Sequence, residues 1–273
     1  MNNTPHQVVG GRMFSSLNVQ AVAVAKRHLY MLLLALLASY SMLFYVDRIW
    51  APGKSIHFCD LYPRWYGARE LLLRGRDPYG QEVSQEIQVW SYGHKLAPVP
   101  GAPQVQDENR FAYPLYIIFV LAPFIRLSFP QTYELFRVLL PLVGIVSTVL
   151  WLRVIGWKCA PVLLTCVLLL SMSNFPMLES IYLQQPVLLA GAFLACSCVA
   201  LRSNHLYVAG ILLALATIKP QITALFAFWL LFWACCQWRN RKGVVIGFLV
   251  TIGALVGGAE LLLPGWISEF DAG

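Results

Sequence analysis

Long apolar runs separated by short polar breaks dominate the chain, above all after residue 110. The candidate membrane segments are Leu29–Val46, Phe111–Phe129, Leu135–Leu152, Cys159–Phe175, Pro186–Leu201, Leu206–Lys219, Ile222–Trp238 and Val244–Leu263. A membrane-spanning helix needs about 20 apolar residues, with a range near 17–25. The pattern predicts an all-α, polytopic integral membrane protein, a bundle of helices in which residues 29–273 form one membrane domain. Residues 1–28 are then a cytoplasmic tail.

Two of these runs are interrupted. Phe111–Phe129 contains Pro114 and Pro123, and Leu206–Lys219 is the shortest run and stops at Pro220. Irregular backbone at membrane depth is tolerated only where protein or a water-filled cavity covers it. The interruptions therefore predict that these two segments form the walls of a cavity.

The basic residues restrict the topology without settling it. Lys26 and Arg27 precede the first run and should stay in the cytoplasm, because cytoplasmic loops carry an excess of Lys and Arg. Eight full crossings would then place the basic cluster Arg239–Lys242 outside, against the same rule. Removing one crossing repairs the pattern. Either Phe111–Phe129 enters and returns, or Leu206–Trp238 is one helix broken at Pro220, and both alternatives stay open.

Residues 47–110 form the only sizeable polar region, which this topology places on the non-cytoplasmic side. Within it Leu61, Trp65, Ala68 and Leu72 recur at helical spacing. This predicts an amphipathic helix in the membrane interface with Trp65 at headgroup level. Gly75 should end that helix.

The rest of this loop predicts a turn, a second helix and a connector. Asp77-Pro78 is typical of a turn. Residues 81–92 favour a second short helix, whereas the proline-rich residues 97–103 should form a mobile connector.

Composition excludes several classes of protein. Only 12% of the residues are charged and 58% are hydrophobic, with a mean hydropathy of +0.63, whereas a soluble domain carries roughly 25% charged residues. The net charge is +7, but no basic block with interleaved aromatics is present, so we expect no nucleic-acid partner. We also expect no cofactor and no metal site, because neighbouring Cys235 and Cys236 point apart on a helix and no His accompanies them.

Asp60 is the first candidate for chemistry because it immediately precedes the predicted amphipathic helix. It could cap that helix or act as a general base towards a sugar hydroxyl, and the two roles are compatible. The loop arginines could neutralise a phosphate or only extend towards lipid headgroups; these are Arg64, Arg69, Arg74 and Arg76.

The apolar half of the chain holds the remaining candidates. Lys219 among apolar residues is costly, which suggests a partner or a substrate. The alternative is a lysine at a helix end that extends to the interface. Glu179 and the pair Gln184-Gln185 could bind a sugar or form a wet turn. Tyr113-Pro114 is typical of a helix start with Pro in the first turn.

Together these residues resemble the polyprenyl-phosphate-sugar-dependent membrane glycosyltransferases of the GT-C superfamily, and among them family 87, the DUF2029 type that includes bacterial mannosyltransferases. The family pattern appears here as Asp60, Trp65-Tyr66-Gly67-Ala68, Gly75-Arg76-Asp77-Pro78-Tyr79, Phe111-Ala112-Tyr113-Pro114, Gln184-Gln185 and Lys219-Pro220-Gln221. Two positions depart from it: Leu115 replaces the second Pro of a Tyr-Pro-Pro, and Gln184 replaces a Gly. Because family members usually continue for several more helices, the resemblance also implies that this chain is shortened at its C-terminus.

The resemblance implies an inverting transfer of a hexose, mannose in the related enzymes, from a polyprenyl-phosphate sugar to an acceptor hydroxyl on a glycolipid or glycan. The site would face the non-cytoplasmic side of a bilayer, the bacterial plasma membrane by resemblance. Asp60 would be the catalytic base, and the substrate would be bound by Arg64, Arg69, Tyr113, Gln185 and Lys219. The alternative is a non-enzymatic lipid-binding subunit or a transporter. A transporter should show paired broken helices in two matching halves, and no such halves are present in the sequence.

Overall fold

Helices form almost all of the chain that the structure describes. The computed structural model describes residues 9–50, 56–57, 59–96, 109–158 and 160–272, and within these ranges it contains no strand. The helices are α1 (Val9–Trp50), α2 (Leu61–Arg74), α3 (Gln81–Tyr92), α4 (Ile117–Leu121), α5 (Phe129–Val154), α6 (Pro161–Ser173), α7 (Phe175–Tyr182), α8 (Val187–Arg202), α9 (Leu206–Ala216), α10 (Pro220–Cys236), α11 (Trp238–Leu262) and α12 (Trp266–Ala272). The predicted all-α fold class is confirmed.

Three of the described helices are long and apolar enough to cross a membrane: α1 over Val24–Asp47, α5 and α11. Helices α6 and α7 are bent by 59° at Asn174, and this pair adds a fourth span if it is counted as one. Helices α8, α9 and α10 are apolar but contain only 16, 11 and 17 residues. The chain is therefore a multi-pass membrane protein. Residues 9–28 of the predicted tail are helical and continue directly into the membrane-length part of α1.

The prediction of a membrane span at Phe111–Phe129 is wrong. This segment forms only the five residues of α4 and a short 3-10 helix, Ala122–Phe124, because Pro114 and Pro123 each remove a backbone donor that a continuous helix needs. Its apolar side chains are buried against α2 in the main core. The segment thus enters the protein and returns, while α9 and α10 are separate helices. This agrees with the first of the two topologies that the charge pattern left open.

Helix α2 has the predicted bounds but not the predicted surroundings. It begins at Leu61 and ends at Gly75, which adopts a φ of +66°, and α3 spans the predicted residues 81–92. However, Trp65 is only 2% exposed, and its Nε1 donates a hydrogen bond to the carbonyl oxygen of Phe124 at 3.1 Å. Trp65 therefore packs inside the protein and not directly against lipid headgroups, because α3, α4 and the start of α5 cover the helix, and its depth in the membrane stays a prediction. The proline-rich connector 97–103 lies outside the described residues.

The bundle has two ends with different chemistry. We call "loop end" the region formed by the last turn of α1, α2 to α4, the start of α5, the turns at residues 183–185 and 217–219, and the C-terminal end of α11 with α12. Trp50 lies under the Arg137 guanidinium, with 4.2 Å from Cζ to the ring centre, and Tyr116 donates to the Thr217 carbonyl oxygen at 2.8 Å. These contacts join distant segments at this end.

We call "basic end" the opposite region, which contains Arg153, Lys158, Arg202, Arg239, Arg241 and Lys242. Nη1 of Arg202 donates to the carbonyl oxygens of Arg153 and Val154, which joins the end of α8 to the end of α5. The start of α11 packs there against the start of α9 and the end of α10. Apart from Glu179 of α7, the Asp and Glu residues in the described ranges belong to segments of the loop end, and none of them lies in the basic end, so the two ends differ in charge.

Candidate active site

The Asp60 carboxylate is held by a distant turn rather than by its own helix. Asp60 occupies the N-cap position of α2, but its side chain makes no capping hydrogen bond. Instead Oδ2 accepts a hydrogen bond from Nε2 of Gln185 at 2.8 Å, and the Asp60 amide donates to the Leu183 carbonyl oxygen at 2.7 Å. Because the side chain remains 28% exposed, the carboxylate is fixed and still within reach of a ligand.

Two cations flank the ring of Tyr113 beside this carboxylate. Nη1 of Arg64 donates to the Asp60 carbonyl oxygen at 2.7 Å and lies 3.8 Å from Oδ1, while its Cζ lies 4.6 Å from the Tyr113 ring centre. Nζ of Lys219 lies 4.8 Å from the same ring centre and donates to Oη of Tyr113 at 2.9 Å. The group therefore contains two positive charges and one carboxylate, which favours an anionic ligand.

The local sequence explains how Tyr113 and Lys219 come together. Lys219 immediately precedes Pro220, and this position disfavours helical backbone, so Lys219 lies in the break between α9 and α10 and adopts a φ of −126° and a ψ of 79°. On the other side, Tyr79 Oη donates to the Tyr113 carbonyl oxygen at 2.7 Å. The two interrupted segments that were predicted as cavity walls thus meet at this site, through Lys219 and Tyr113.

Gln185 lies in a turn whose backbone was not anticipated. The preceding residue, Gln184, has a φ of +53°, in the left-handed region that favours glycine. The replacement of the family's Gly by Gln184 was the signal in the sequence that could have located this turn. Sequence reasoning named Gln184 as a possible sugar ligand or part of a wet turn but missed its contact with α5: the side chain is 1% exposed and donates through Nε2 to the Tyr133 carbonyl oxygen at 2.9 Å.

Three of the loop arginines lie away from this group. Arg69 stacks on Trp65, with 5.2 Å from Cζ to the ring centre, more than two helical turns along α2 from Asp60. Arg74 and Arg76 contact the buried carboxylate of Glu70 at 2.9 and 2.7 Å. Arg76 also pairs with Glu86 of α3 at 2.9 Å and so links α3 to α2, whereas Arg74 pairs within α2. Glu179 is exposed on α7.

Burial also shapes the chemistry of the residue before Asp60. Cys59 is 4% exposed, and burial raises the pKa of its thiol to about 12. A protonated, covered thiol is a poor nucleophile and a poor metal ligand. Of these two neighbouring side chains, the one that a ligand can reach is therefore that of Asp60 and not the thiol of Cys59.

The comparisons with known proteins identify the family. The family model described as glycosyltransferase family 87 matches residues 111–270, which is more than half of the 273 residues. The chain belongs to glycosyltransferase family 87. A search of curated proteins and a search of solved structures each found no match.

The family 87 match covers some of the candidate residues and not others. Tyr113, Gln185 and Lys219 lie inside the matched range, whereas Asp60 and Arg64 precede it. The hydrogen bond from Gln185 to Asp60 links the two parts. The assignment of Asp60 in this family 87 protein therefore depends on geometry, while the assignment as a membrane glycosyltransferase depends on the family and on the apolar helices.

Proposed function

We propose that this glycosyltransferase transfers a hexose, mannose by resemblance, from a polyprenyl-phosphate-linked donor to a hydroxyl of a glycolipid or glycan acceptor, with inversion at the anomeric carbon. One observation carries the proposal: a fixed, partly exposed carboxylate lies beside two cations at one end of an apolar bundle. A donor with a lipid chain and a charged phosphate needs both environments. A soluble nucleotide sugar would not need the apolar one.

In the proposed reaction, Asp60 accepts the proton of the acceptor hydroxyl as its oxygen attacks the anomeric carbon. The bond between that carbon and the phosphate oxygen breaks, and polyprenyl phosphate leaves with the bonding electrons. General-base catalysis of this kind typically contributes about 10²- to 10⁴-fold. The hydrogen bond from Gln185 supports this role because it fixes the orientation of the carboxylate.

The cations are proposed to stabilise the leaving phosphate. Lys219 has no carboxylate partner among its described contacts, whereas Arg64 is tied to the Asp60 backbone. Lys219 is therefore the primary phosphate ligand in this proposal, and Arg64 contributes charge from behind the Tyr113 ring. Arg69 lies too far along α2 to share a monophosphate with Lys219, and we propose for it a contact with lipid headgroups or with the acceptor.

The site is proposed to face the non-cytoplasmic side. Cytoplasmic ends of membrane helices are enriched in Lys and Arg, and the basic end carries such residues without any described carboxylate. The loop end, with Asp60, would then lie on the opposite side of the membrane. A lipid-linked donor can reach it by lateral diffusion, and the acceptor can enter from the aqueous side.

A transfer assay tests this function. Membranes from an expressing strain are incubated with radiolabelled polyprenyl-phosphate mannose and, in parallel, with a labelled nucleotide-mannose in the presence of an inhibitor of polyprenyl-phosphate-mannose synthesis. We expect label to pass to a glycolipid or glycan only from the lipid-linked donor. Membranes without the chain provide the background. Transfer from the nucleotide sugar alone would overturn the proposed donor.

A further inference from the structure

The turn at residues 183–185 holds Asp60 at two points. The Leu183 carbonyl oxygen accepts from the Asp60 amide, and the Gln185 side chain donates to the carboxylate. These contacts join residues that are more than 120 positions apart in the chain. The direction of the carboxylate therefore depends on the backbone of this turn.

The turn is a helix C-cap of the Schellman type. The Gln185 amide donates to the Ser180 carbonyl oxygen at 2.8 Å, and the Gln184 amide donates to that of Ile181 at 3.1 Å. This pair of bonds requires a left-handed residue after the helix, which is usually Gly. Gln184 occupies that position with a φ of +53°, a conformation that L-residues other than Gly adopt at a cost.

The Gln184 side chain makes a contact that glycine could not make. It is 1% exposed, and its Nε2 donates to the Tyr133 carbonyl oxygen on α5 at 2.9 Å. Its Oε1 is buried without a hydrogen-bond partner in the described part of the chain. The backbone conformation and the unpaired oxygen both oppose this arrangement, so the bond to α5 is the one polar interaction of the side chain that favours it.

We propose that Gln184 is a positioning residue, which ties the turn 183–185 to α5 and thereby orients the Asp60 carboxylate for proton transfer. The inference rests on the proposed function, because orientation matters only if Asp60 is the base. Gln184 itself does not touch the substrate. It acts through Leu183 and Gln185.

The chain offers a matched control at the basic end. Asn204 has a φ of +59° and follows α8 in a turn with the same two bonds, from His205 to Ala200 and from Asn204 to Leu201. Its side chain is exposed. Asn204→Gly therefore relieves a left-handed residue without removing a contact to another helix, whereas Gln184→Gly does both.

The test compares these two variants by kinetics and by labelling of Cys59. Cys59 is next to Asp60 and within electrostatic reach of Tyr133 on α5. Its burial therefore reports how the start of α2 and the turn 183–185 pack against α5, whether or not transfer occurs. In Gln184→Gly we expect kcat to fall about 2- to 10-fold, the effect of one lost hydrogen bond. The KM for the donor should stay unchanged, and Cys59 should react faster with a thiol reagent when it is the sole cysteine. Asn204→Gly should change none of these.

Each other result overturns the inference. If Cys59 is labelled no faster in Gln184→Gly than in the parent, the Gln184 side chain does not hold the turn 183–185 against α5. If labelling is faster but kcat is unchanged, the hydrogen bond from Gln184 to α5 holds the turn 183–185 but does not position the base. A fall in abundance or melting temperature with normal kinetics would assign Gln184 a structural role only. If the parent chain transfers nothing from any lipid-linked sugar, the proposed function fails. The labelling of Cys59 then still tests whether Gln184 holds the turn 183–185 against α5.

Discussion

Among single residues, Lys219 has the most direct link between environment and function. It immediately precedes α10 at the loop end, and the described polar partner of its ammonium group is Oη of Tyr113. We predict that Lys219→Met lowers kcat/KM for the lipid-linked donor about 10- to 150-fold, since a hydrogen bond to a charged group contributes about 1.5–3 kcal/mol. Donor kinetics and protein abundance are measured together. Lys158→Met, at the basic end, is the control and should have normal kinetics.

Normal donor kinetics in Lys219→Met would assign this lysine to a helix end that only reaches the interface. That alternative stays open from the sequence, because a lysine next to a proline break has the same pattern in both cases. The contact with Tyr113, in the same group of residues as Asp60, favours the phosphate ligand over a lysine that only reaches the interface.

Cys59 gives a prediction that depends on pH. Burial raises the pKa of its thiol to about 12, whereas an unfolded thiol titrates near pH 8.5. The reactive thiolate should therefore be scarce in the folded protein until the pH approaches 12, so at pH 8 a maleimide should not label Cys59 in a variant that keeps only this cysteine. Labelling should appear after denaturation. Rapid labelling of the native protein at pH 8 would contradict the burial.

Some residues of the candidate site could be selected from the sequence, and the roles of others could not. Asp60, Gln185, Tyr113 and Lys219 could be selected because polar side chains near apolar runs are costly and the family pattern contains them. The structural role of Gln184 could not be predicted from the residue itself, since it depends on a positive φ that a glutamine does not indicate; only the family's Gly at this position pointed to it. The pairing of Arg76 with Glu86 was also hidden, because it depends on how α3 packs on α2.

At the scale of helices, α9 and α11 approach each other through glycines. A Cβ atom on Gly210 would overlap the Val244 carbonyl oxygen, and one on Gly247 would overlap that of Tyr207. We predict that Gly210→Ala destabilises the protein by about 1–3 kcal/mol, the usual effect of overpacking, and lowers its melting temperature in detergent. The better helix propensity of Ala, about 1 kcal/mol, cannot compensate because backbone must move.

Gly253 on α11 provides the contrast, because nothing lies within 4 Å of a Cβ atom placed there. Gly253→Ala should leave the melting temperature unchanged or slightly higher. If Gly210→Ala were as stable as Gly253→Ala, the close packing of α9 on α11 would be wrong.

Long apolar helices could be predicted from the sequence, and irregular segments could not. The spans within α1, α5 and α11 follow from length and hydropathy. Phe111–Phe129 was misassigned because hydropathy does not distinguish a lipid-facing helix from a buried segment that Pro114 and Pro123 interrupt. Helix α2 was placed at the interface because its periodicity reports one apolar face, whereas neighbours also cover its polar side chains, Arg64 and Glu70.

At the scale of the whole molecule, the separation of charge between the two ends predicts an orientation. Glu82 on α3 has a side chain that is 90% exposed at the loop end, and Cys236 is exposed where α10 reaches the basic end. In variants with one cysteine each, an impermeant thiol reagent should label Glu82→Cys on intact cells. Cys236 should be labelled only after permeabilisation. The reverse pattern would place the site on the cytoplasmic side.

The overall architecture was largely accessible from sequence, because few charges and long apolar runs require helices in lipid. The number of passes was not, since it depended on one irregular segment. The structure places Lys219 and Tyr113 together at one end and the cluster Arg239–Lys242 at the other, which the charge pattern alone allowed but did not require.

The most direct test of the account is Asp60→Asn. Asn keeps the shape of Asp and can still hydrogen-bond Gln185 or Arg64, but it cannot accept the proton of an acceptor hydroxyl. Transfer from polyprenyl-phosphate mannose should fall about 10²- to 10⁴-fold with unchanged abundance and melting temperature. Asp77→Asn, in the turn where Oδ1 accepts from the Tyr79 amide at 2.9 Å, should retain near-normal transfer. Near-normal transfer by Asp60→Asn would contradict the assignment of Asp60 as the base.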